Sequence, residues 1–138
     1  MSSWVCRSEA ETLTFGAGLA SRLGRDGALL LWGELGSGKT VLTQGLAQAL
    51  GFERREIQSP TYTLIHEYER RGRRFVHADL YRLDPDQISA LGLEEVLAGP
   101  GVKVVEWADR LPFPVAGAIR LRISVGAAGE RRIEEIGD

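Results

Sequence analysis

The stretch "LLLWGELGSGKTVL", Leu29 to Leu42, decides the fold of this 138-residue chain. Its middle matches the pattern G-x-x-x-x-G-K-[ST] at every fixed position: Gly33, Glu34, Leu35, Gly36, Ser37, Gly38, Lys39 and Thr40. An apolar run precedes the pattern, as in a strand buried on both faces, and a helix-forming segment follows it. This context predicts a phosphate-binding loop (P-loop) between a strand and a helix.

The residue types in this loop suit phosphate chemistry. Glycines let the backbone approach phosphate oxygens in dihedral angles that side chains forbid. The amide groups can then point at an anion that also lies on a helix N-terminus. We expect Lys39 to reach the β- and γ-phosphates and the Thr40 hydroxyl to bind Mg²⁺. All eight loop residues are therefore predicted to contact the nucleotide.

Outward from the loop, periodicity and capping residues predict helices over 8–24, 40–50 and 84–99, and strands over 28–32, 102–107 and 118–125. Ser8 and Asp84 are the expected N-caps of the first and last helix. Two more strands are predicted within 61–81, joined by a turn at Arg71-Gly72. Mixed strands and helices around a strand–loop–helix unit predict an α/β sandwich with a mixed sheet, in one domain over 1–138.

Composition narrows the classes of protein further. The formal net charge is -2, with 43% hydrophobic and 26% charged residues, which is typical of a globular protein without a general basic field for nucleic acid. Cys6 is the single cysteine, so no intramolecular disulfide can form. The N-terminus lacks the pattern of a signal peptide, and no apolar run is long enough to span a bilayer. We expect a cytoplasmic protein that does not use a membrane.

Two carboxylates follow apolar strands, Asp79 after "RFVHA" and Glu106 after "VKVV". P-loop enzymes need a carboxylate near a strand end to hold Mg²⁺ or to orient water, although either residue alone could be an ordinary surface acid. The segment "SPTYT" (59–63) offers hydroxyl groups that could sense the γ-phosphate, as in nucleotide switches, or it could be a plain turn.

Three functions stay open on these residues: an ATPase that drives a step in a larger complex, a small-molecule P-loop kinase, and a nucleotide-gated scaffold. An Asn-Lys-x-Asp stretch for guanine is missing, which disfavours a GTPase. No arginine-rich lid follows the helices, which disfavours the kinase, and two placed carboxylates disfavour the scaffold. An arginine finger within the chain is not evident.

The stretches "GELGSGKT", "SPTYTL", "HADLYRL" and "VEW", in this order, resemble the bacterial TsaE family (formerly YjeE) over nearly the whole chain. The resemblance implies a three-layer αβα P-loop NTPase-like fold with a mixed, mainly parallel central sheet. It implies ATP with Mg²⁺, and slow hydrolysis by the isolated subunit of the machinery that forms N6-threonylcarbamoyladenosine in tRNA. It also implies the partner subunits TsaD and TsaB. The chain would associate with tRNA indirectly through these subunits, and direct contact with tRNA is left open.

The resemblance also assigns roles by position. Thr40 and Glu106 would serve the magnesium, Asp79 would take the catalytic acidic position, and Thr61 would lie in the switch-like loop. Trp107 would lie near the site. The adenine would be approached from Ser8, Glu9 or Thr12 at the start of the first helix, and from Gly129 through Arg131 near the C-terminus.

Two features keep two interpretations each. His77 shares a strand face with Asp79, so it is either a partner of the acidic site or simply a buried, hydrogen-bonded histidine. The basic stretch "ERRGRR" (69–74) is either a solvated turn or a contact for an acidic partner surface or for the tRNA backbone.

Overall fold

The computed structural model describes residues 2–34, 36–58 and 65–137 of the chain. The strands within these ranges are β1 Ser3–Cys6, β2 Ala28–Trp32, β3 Ile65–Arg70, β4 Arg73–Asp79, β5 Val102–Glu106, β6 Ile119–Val125 and β7 Arg131–Glu135. The helices are α1 Glu9–Gly18, α2 Ala20–Leu23, α3 Lys39–Ala49, α4 Pro85–Ala90 and α5 Leu93–Ala98. None of the helices in these ranges has the length and apolar character that crossing a membrane requires.

The described strands form one seven-stranded sheet in the order β1-β7-β6-β2-β5-β4-β3. The four central strands β6, β2, β5 and β4 run parallel to one another. Strands β7 and β3 run antiparallel to their neighbours, and β1 is antiparallel to β7. The expected mixed sheet with a parallel centre is confirmed.

Helices cover both faces of the sheet. Strand β2 shows why, since Leu29 and Leu31 point into a core shared with α1 and α3, while Leu30 points into a second core shared with α4 and α5. All three leucines are buried, as expected for a strand that is covered on both sides. The three-layer αβα arrangement is confirmed.

Helices α1 and α3 pack closely because glycines lie at their contact. A Cβ atom on Gly16 would lie 2.1 Å from the carbonyl oxygen of Leu42, and one on Gly45 would lie 2.1 Å from that of Leu13. The backbones therefore touch where a larger residue would hold them apart. This close packing fixes the position of α3, the helix that begins at the P-loop.

Two predicted helices are interrupted in the structure. The helix over 84–99 is broken at Gly92, whose φ of 70° is left-handed, so α4 ends and α5 begins there. The helix over 8–24 breaks at Leu19, between α1 and α2. The expected caps are confirmed, because the side chains of Ser8 and Asp84 accept hydrogen bonds from backbone amides three residues ahead.

Strands β1 and β7 are absent from the prediction. Each is short, and "RRIEE" has one apolar residue, Ile133, which is fully buried in the core. These strands form because β7 pairs with β6 on one side and with β1 on the other. The partners of β1 in β7 lie more than 120 positions away, which leaves little signal in local sequence. Strand β7 pairs with the nearby β6, but its single apolar residue gives no alternating pattern.

Candidate functional site

The P-loop connects the end of β2 to the start of α3, as predicted. Gly33 has a φ of 155°, and a Cβ atom there would lie 2.5 Å from the carbonyl oxygen of Ile123. Gly38 has a φ of 107° and is the residue on which α3 begins. Only glycine takes such angles without strain, so both positions require it. Leu35 lies outside the described residues.

Lys39 is buried, and its ammonium group is held inside the loop. Its Nζ atom donates to the carbonyl oxygens of Gly33, at 2.5 Å, and Glu34, at 2.8 Å, and lies 3.4 Å from the Ser37 hydroxyl. Burial lowers the pKa of Lys39, and the carboxylates of Glu106, Asp79 and Glu34 oppose that shift. The loop thus holds a positive charge where an anion would be bound.

Thr40 and Glu106 meet directly below the loop. The Thr40 hydroxyl lies 3.2 Å from each carboxylate oxygen of Glu106, which is 3% exposed. A hydroxyl and a carboxylate are oxygen ligands of the kind that Mg²⁺ takes together with substrate phosphates. The residues predicted to serve the metal are therefore brought together, and this oxygen set fits magnesium.

Asp79 and His77 lie beside Glu106 on the neighbouring strand β4. Asp79 pairs in register with Glu106, is 7% exposed, and accepts the backbone amide of Tyr81 at 3.0 Å. His77 is fully buried, and its Nε2 atom lies 2.5 Å from Oε2 of Glu106. The structure favours the interpretation of His77 as a partner of the acidic residues, because its contact is with Glu106 while its Nδ1 atom has no hydrogen-bond partner among the described residues. A role of His77 in the chemistry of the site stays a prediction.

One aromatic ring lies against Lys39, and a second ring packs on the first. The Nζ atom of Lys39 lies 4.5 Å from the ring centroid of Trp107, and the ring of Tyr81 packs on Trp107 at 4.8 Å between centroids. Trp107 has a φ of 60°, which is uncommon for a large residue. The resemblance places Trp107 near the site, but the packing of Tyr81 on it was not predicted from the sequence. The signal available for Tyr81 was its position two residues after Asp79.

Two segments were expected to approach the adenine, the start of α1 and the start of β7, and strand pairing brings both to the P-loop end of the sheet. Arg131 lies against the loop, because a Cβ atom on Gly38 would be 3.6 Å from its Nε atom. Cys6 pairs with Arg131, which brings the start of α1 to this end of the sheet. Thr12 is 2% exposed, and its hydroxyl donates to the carbonyl of Ser8.

Glu9 has a different partner. Its carboxylate forms an ion pair with Arg54, whose Nε atom also donates to Gln44 on α3. The adenine-side roles of Glu9, Thr12 and Arg131 stay predictions. Thr61 and the rest of "SPTYT" lie outside the described residues, so the role of that segment stays a prediction as well.

Comparison with known proteins places the chain in a family. A model of the family "Threonylcarbamoyl adenosine biosynthesis protein TsaE" matches residues 6–133. The TsaE of a Nostoc species is 39% identical over 127 residues, covering 89% of this chain and 78% of the relative. The TsaE of Treponema pallidum is 34% identical over 131 residues, covering 94% and 96%.

A solved structure gives the same result. The crystal structure of Bacillus subtilis YdiB superposes with a TM-score of 0.73 at 32% identity, covering 97% of this chain and 83% of that one. The TsaE of Bacillus subtilis is 41% identical over 102 residues, covering 74% of this chain and 63% of the relative. The resemblance in the sequence motifs is confirmed: this chain belongs to the TsaE family.

Proposed function

We propose that this chain binds and hydrolyses ATP with Mg²⁺ as a subunit of the machinery that forms N6-threonylcarbamoyladenosine in tRNA. The observation that carries the proposal is the contact of Thr40 with Glu106 below the P-loop, with Asp79 in register beside them. Related proteins are named for this biosynthesis, which supports the assignment of the pathway.

Each side chain has a distinct task in this proposal. The loop amides and Lys39 bind the phosphate oxygens, so Lys39 exchanges its bonds to the carbonyls of Gly33 and Glu34 for bonds to phosphate. Thr40 and Glu106 would hold the magnesium, which when bound supplies neutralisation of the charge on the phosphates. Asp79 is placed to orient a water molecule or to accept its proton.

The isolated chain should hydrolyse ATP slowly. An arginine finger contributes about 10³–10⁵ in rate where it exists, and none is evident in this sequence. We infer that the TsaD and TsaB subunits meet this deficit, by supplying a side chain or by ordering residues 59–63 around the γ-phosphate. The rate of ATP hydrolysis would then depend on assembly of the complex, and TsaD would transfer the threonylcarbamoyl group to tRNA.

Phosphate release by purified protein tests the hydrolysis. Asp79→Asn and Glu106→Gln keep the shape of the side chains and remove the charge, so turnover should fall on the order of 10²-fold or more. Asp86→Asn, an exposed carboxylate on α4, is the matched control and should keep full turnover. Normal turnover by both amide variants would refute these roles. A phosphorylated small molecule among the products would indicate the kinase instead.

A further inference from the structure

A second concave surface lies at the opposite end of the central strands from the P-loop. It is a groove of about 660 Å³ between the turn after α2, the end of α3, the tip of the β3–β4 hairpin and the Pro100–Val102 segment. Strands β4 and β5 begin next to this groove and carry Asp79 and Glu106 at their other ends. At about 3.3 Å per residue, the groove is about 13–20 Å from the acidic site.

Four arginines line this groove: Arg25, Arg71, Arg73 and Arg74. We call it the arginine groove. Arg74 forms an ion pair with Glu67 and donates to the carbonyl of Pro100. The other three are exposed, and within the described ranges none of them has an ion pair.

The acidic side chain that lines the groove is already engaged. The carboxylate of Asp26 accepts the backbone amide of Gly101 at 2.8 Å. Asp26 and Glu67, the ion-pair partner of Arg74, offset two of the four guanidinium charges. An excess of positive charge remains, although the whole chain has a net charge of -2. Such a local excess attracts a ligand that carries several negative charges.

The choice of ligand follows from what the groove lacks. The planar guanidinium group matches the geometry of both phosphates and carboxylates, so the arginines alone do not choose between these ligands. A surface for a protein partner normally adds exposed apolar or aromatic anchors. The large apolar side chains that line the groove, Leu50, Phe52 and Val102, are buried, and none of the exposed large hydrophobic residues of the described chain lies there. A charged surface without protruding apolar anchors is typical of contacts with a nucleic-acid backbone.

We propose that the arginine groove binds the phosphate backbone of RNA, at a site separate from the nucleotide site. The choice of RNA rests on the proposed function in tRNA modification. Sequence-independent contacts of this kind position an RNA and give micromolar or weaker affinity that depends strongly on salt. The carbonyl end of α3, at Ala49 and Leu50, also faces the groove and would weaken anion binding to some extent.

Fluorescence anisotropy with a labelled single-stranded oligouridylate tests the proposal. The wild-type chain is compared with the triple variant Arg25→Ala, Arg71→Ala, Arg73→Ala between 25 and 200 mM salt, on the order of the range over which such contacts weaken. We expect the triple variant to bind at least ten-fold more weakly at low salt, and its slope of log K against log salt to shrink by about 2. Arg132→Ala, an exposed arginine on β7 at the other end of the sheet, should bind as wild type.

Three results would overturn the proposal. RNA affinity that the triple variant leaves unchanged would place any RNA contact elsewhere. Equal binding of a labelled polyglutamate of the same length would indicate an acidic peptide instead. Loss of RNA binding in Lys39→Ala would show that RNA occupies the P-loop. ATP affinity is measured on the same samples. Normal ATP binding without RNA binding would reject RNA binding by the arginine groove and leave the proposed ATPase function standing.

Discussion

His77 and Glu106 form a buried hydrogen bond between neighbouring parallel strands, with Nε2 and Oε2 2.5 Å apart. The same carboxylate accepts the Thr40 hydroxyl. The Nδ1 atom of His77 has no hydrogen-bond partner among the described residues, so the contact with Glu106 through Nε2 is the one that fixes the ring. His77 therefore holds Glu106 in the orientation that faces Thr40.

Removing this donor should disturb magnesium use more than nucleotide binding. His77→Leu should lower turnover and raise the Mg²⁺ concentration needed for half-maximal activity, because Glu106 loses its fixed orientation. His77→Gln restores a donor at a similar distance and should recover part of both. Magnesium titrations of ATP binding, followed by calorimetry, give a measurement independent of turnover. Equal magnesium dependence in the wild type and the Leu variant would contradict a positioning role.

Lys39→Ala should weaken ATP binding by about 1.5–3 kcal/mol, the range for a hydrogen bond to a charged group. That corresponds to roughly 10- to 150-fold in Kd by calorimetry. The chain has one other lysine, Lys103, which is buried and donates to the carbonyls of Asp26 and Gly99 at the arginine-groove edge of the sheet. Lys103→Gln removes the same charge far from the loop and should keep wild-type affinity. Wild-type affinity in Lys39→Ala would refute the phosphate-binding loop.

Thr40→Ala should affect ATP binding only when magnesium is present. The hydroxyl is a candidate metal ligand, so its loss should reduce the gain in affinity that magnesium gives the wild type. Thr40→Ser keeps the hydroxyl and should retain that gain. Calorimetry with magnesium and with a chelator separates the two contributions. A loss of affinity that is equal in both conditions would mean that Thr40 acts on the fold or the phosphates instead.

The TsaB and TsaD subunits should change the rate of hydrolysis. Phosphate release is measured for this chain alone and then with both partners, and we expect a clear increase on assembly because a partner can complete the site and exclude water. Thr61→Ala should keep ATP binding and reduce the effect of the partners. A high rate alone that partners leave unchanged would indicate a self-sufficient enzyme. No hydrolysis under either condition would indicate a scaffold.

Gly16→Ala should destabilise the fold, because the added methyl group would lie 2.1 Å from the backbone of Leu42. Overpacking of this kind costs about 1–3 kcal/mol. Gly18→Ala is the matched control in the same helix, since nothing lies within 4 Å of its added methyl group. It should be neutral or stabilising by up to about 1 kcal/mol. Urea unfolding of both variants measures the difference, and equal stability would contradict the close packing of α1 on α3.

Local chemistry was enough to predict the P-loop and the central strands. Glycine at Gly33 and Gly38 is required by backbone angles, and apolar runs such as 28–32 can be buried only as strands covered on both faces. The turn at Arg71-Gly72 was also predictable, because a glycine between two strand-forming segments indicates a tight hairpin. In the structure both residues adopt the left-handed angles of such a turn. These features depend on residues close together in the chain.

Breaks in helices were harder to predict than their caps. Ser8 and Asp84 act through amides three residues away, so the sequence shows them directly. Gly92 could have been tolerated inside a helix, and the break there depends on how Leu93 and Leu97 pack into the second core. Packing against the sheet therefore chose between two local conformations that the sequence permits.

The sequence by itself determined the family, the phosphate-binding loop and the two acidic positions, because each is a matter of residue type and local spacing. Tertiary structure alone joined Thr40 to Glu106 across 66 positions and His77 to Glu106 across 29. It also gathered arginines from the turn after α2 and from the hairpin into one groove. Such contacts depend on strand register and helix packing. Both are set by pairing between distant parts of the chain, so no local sequence pattern indicates them.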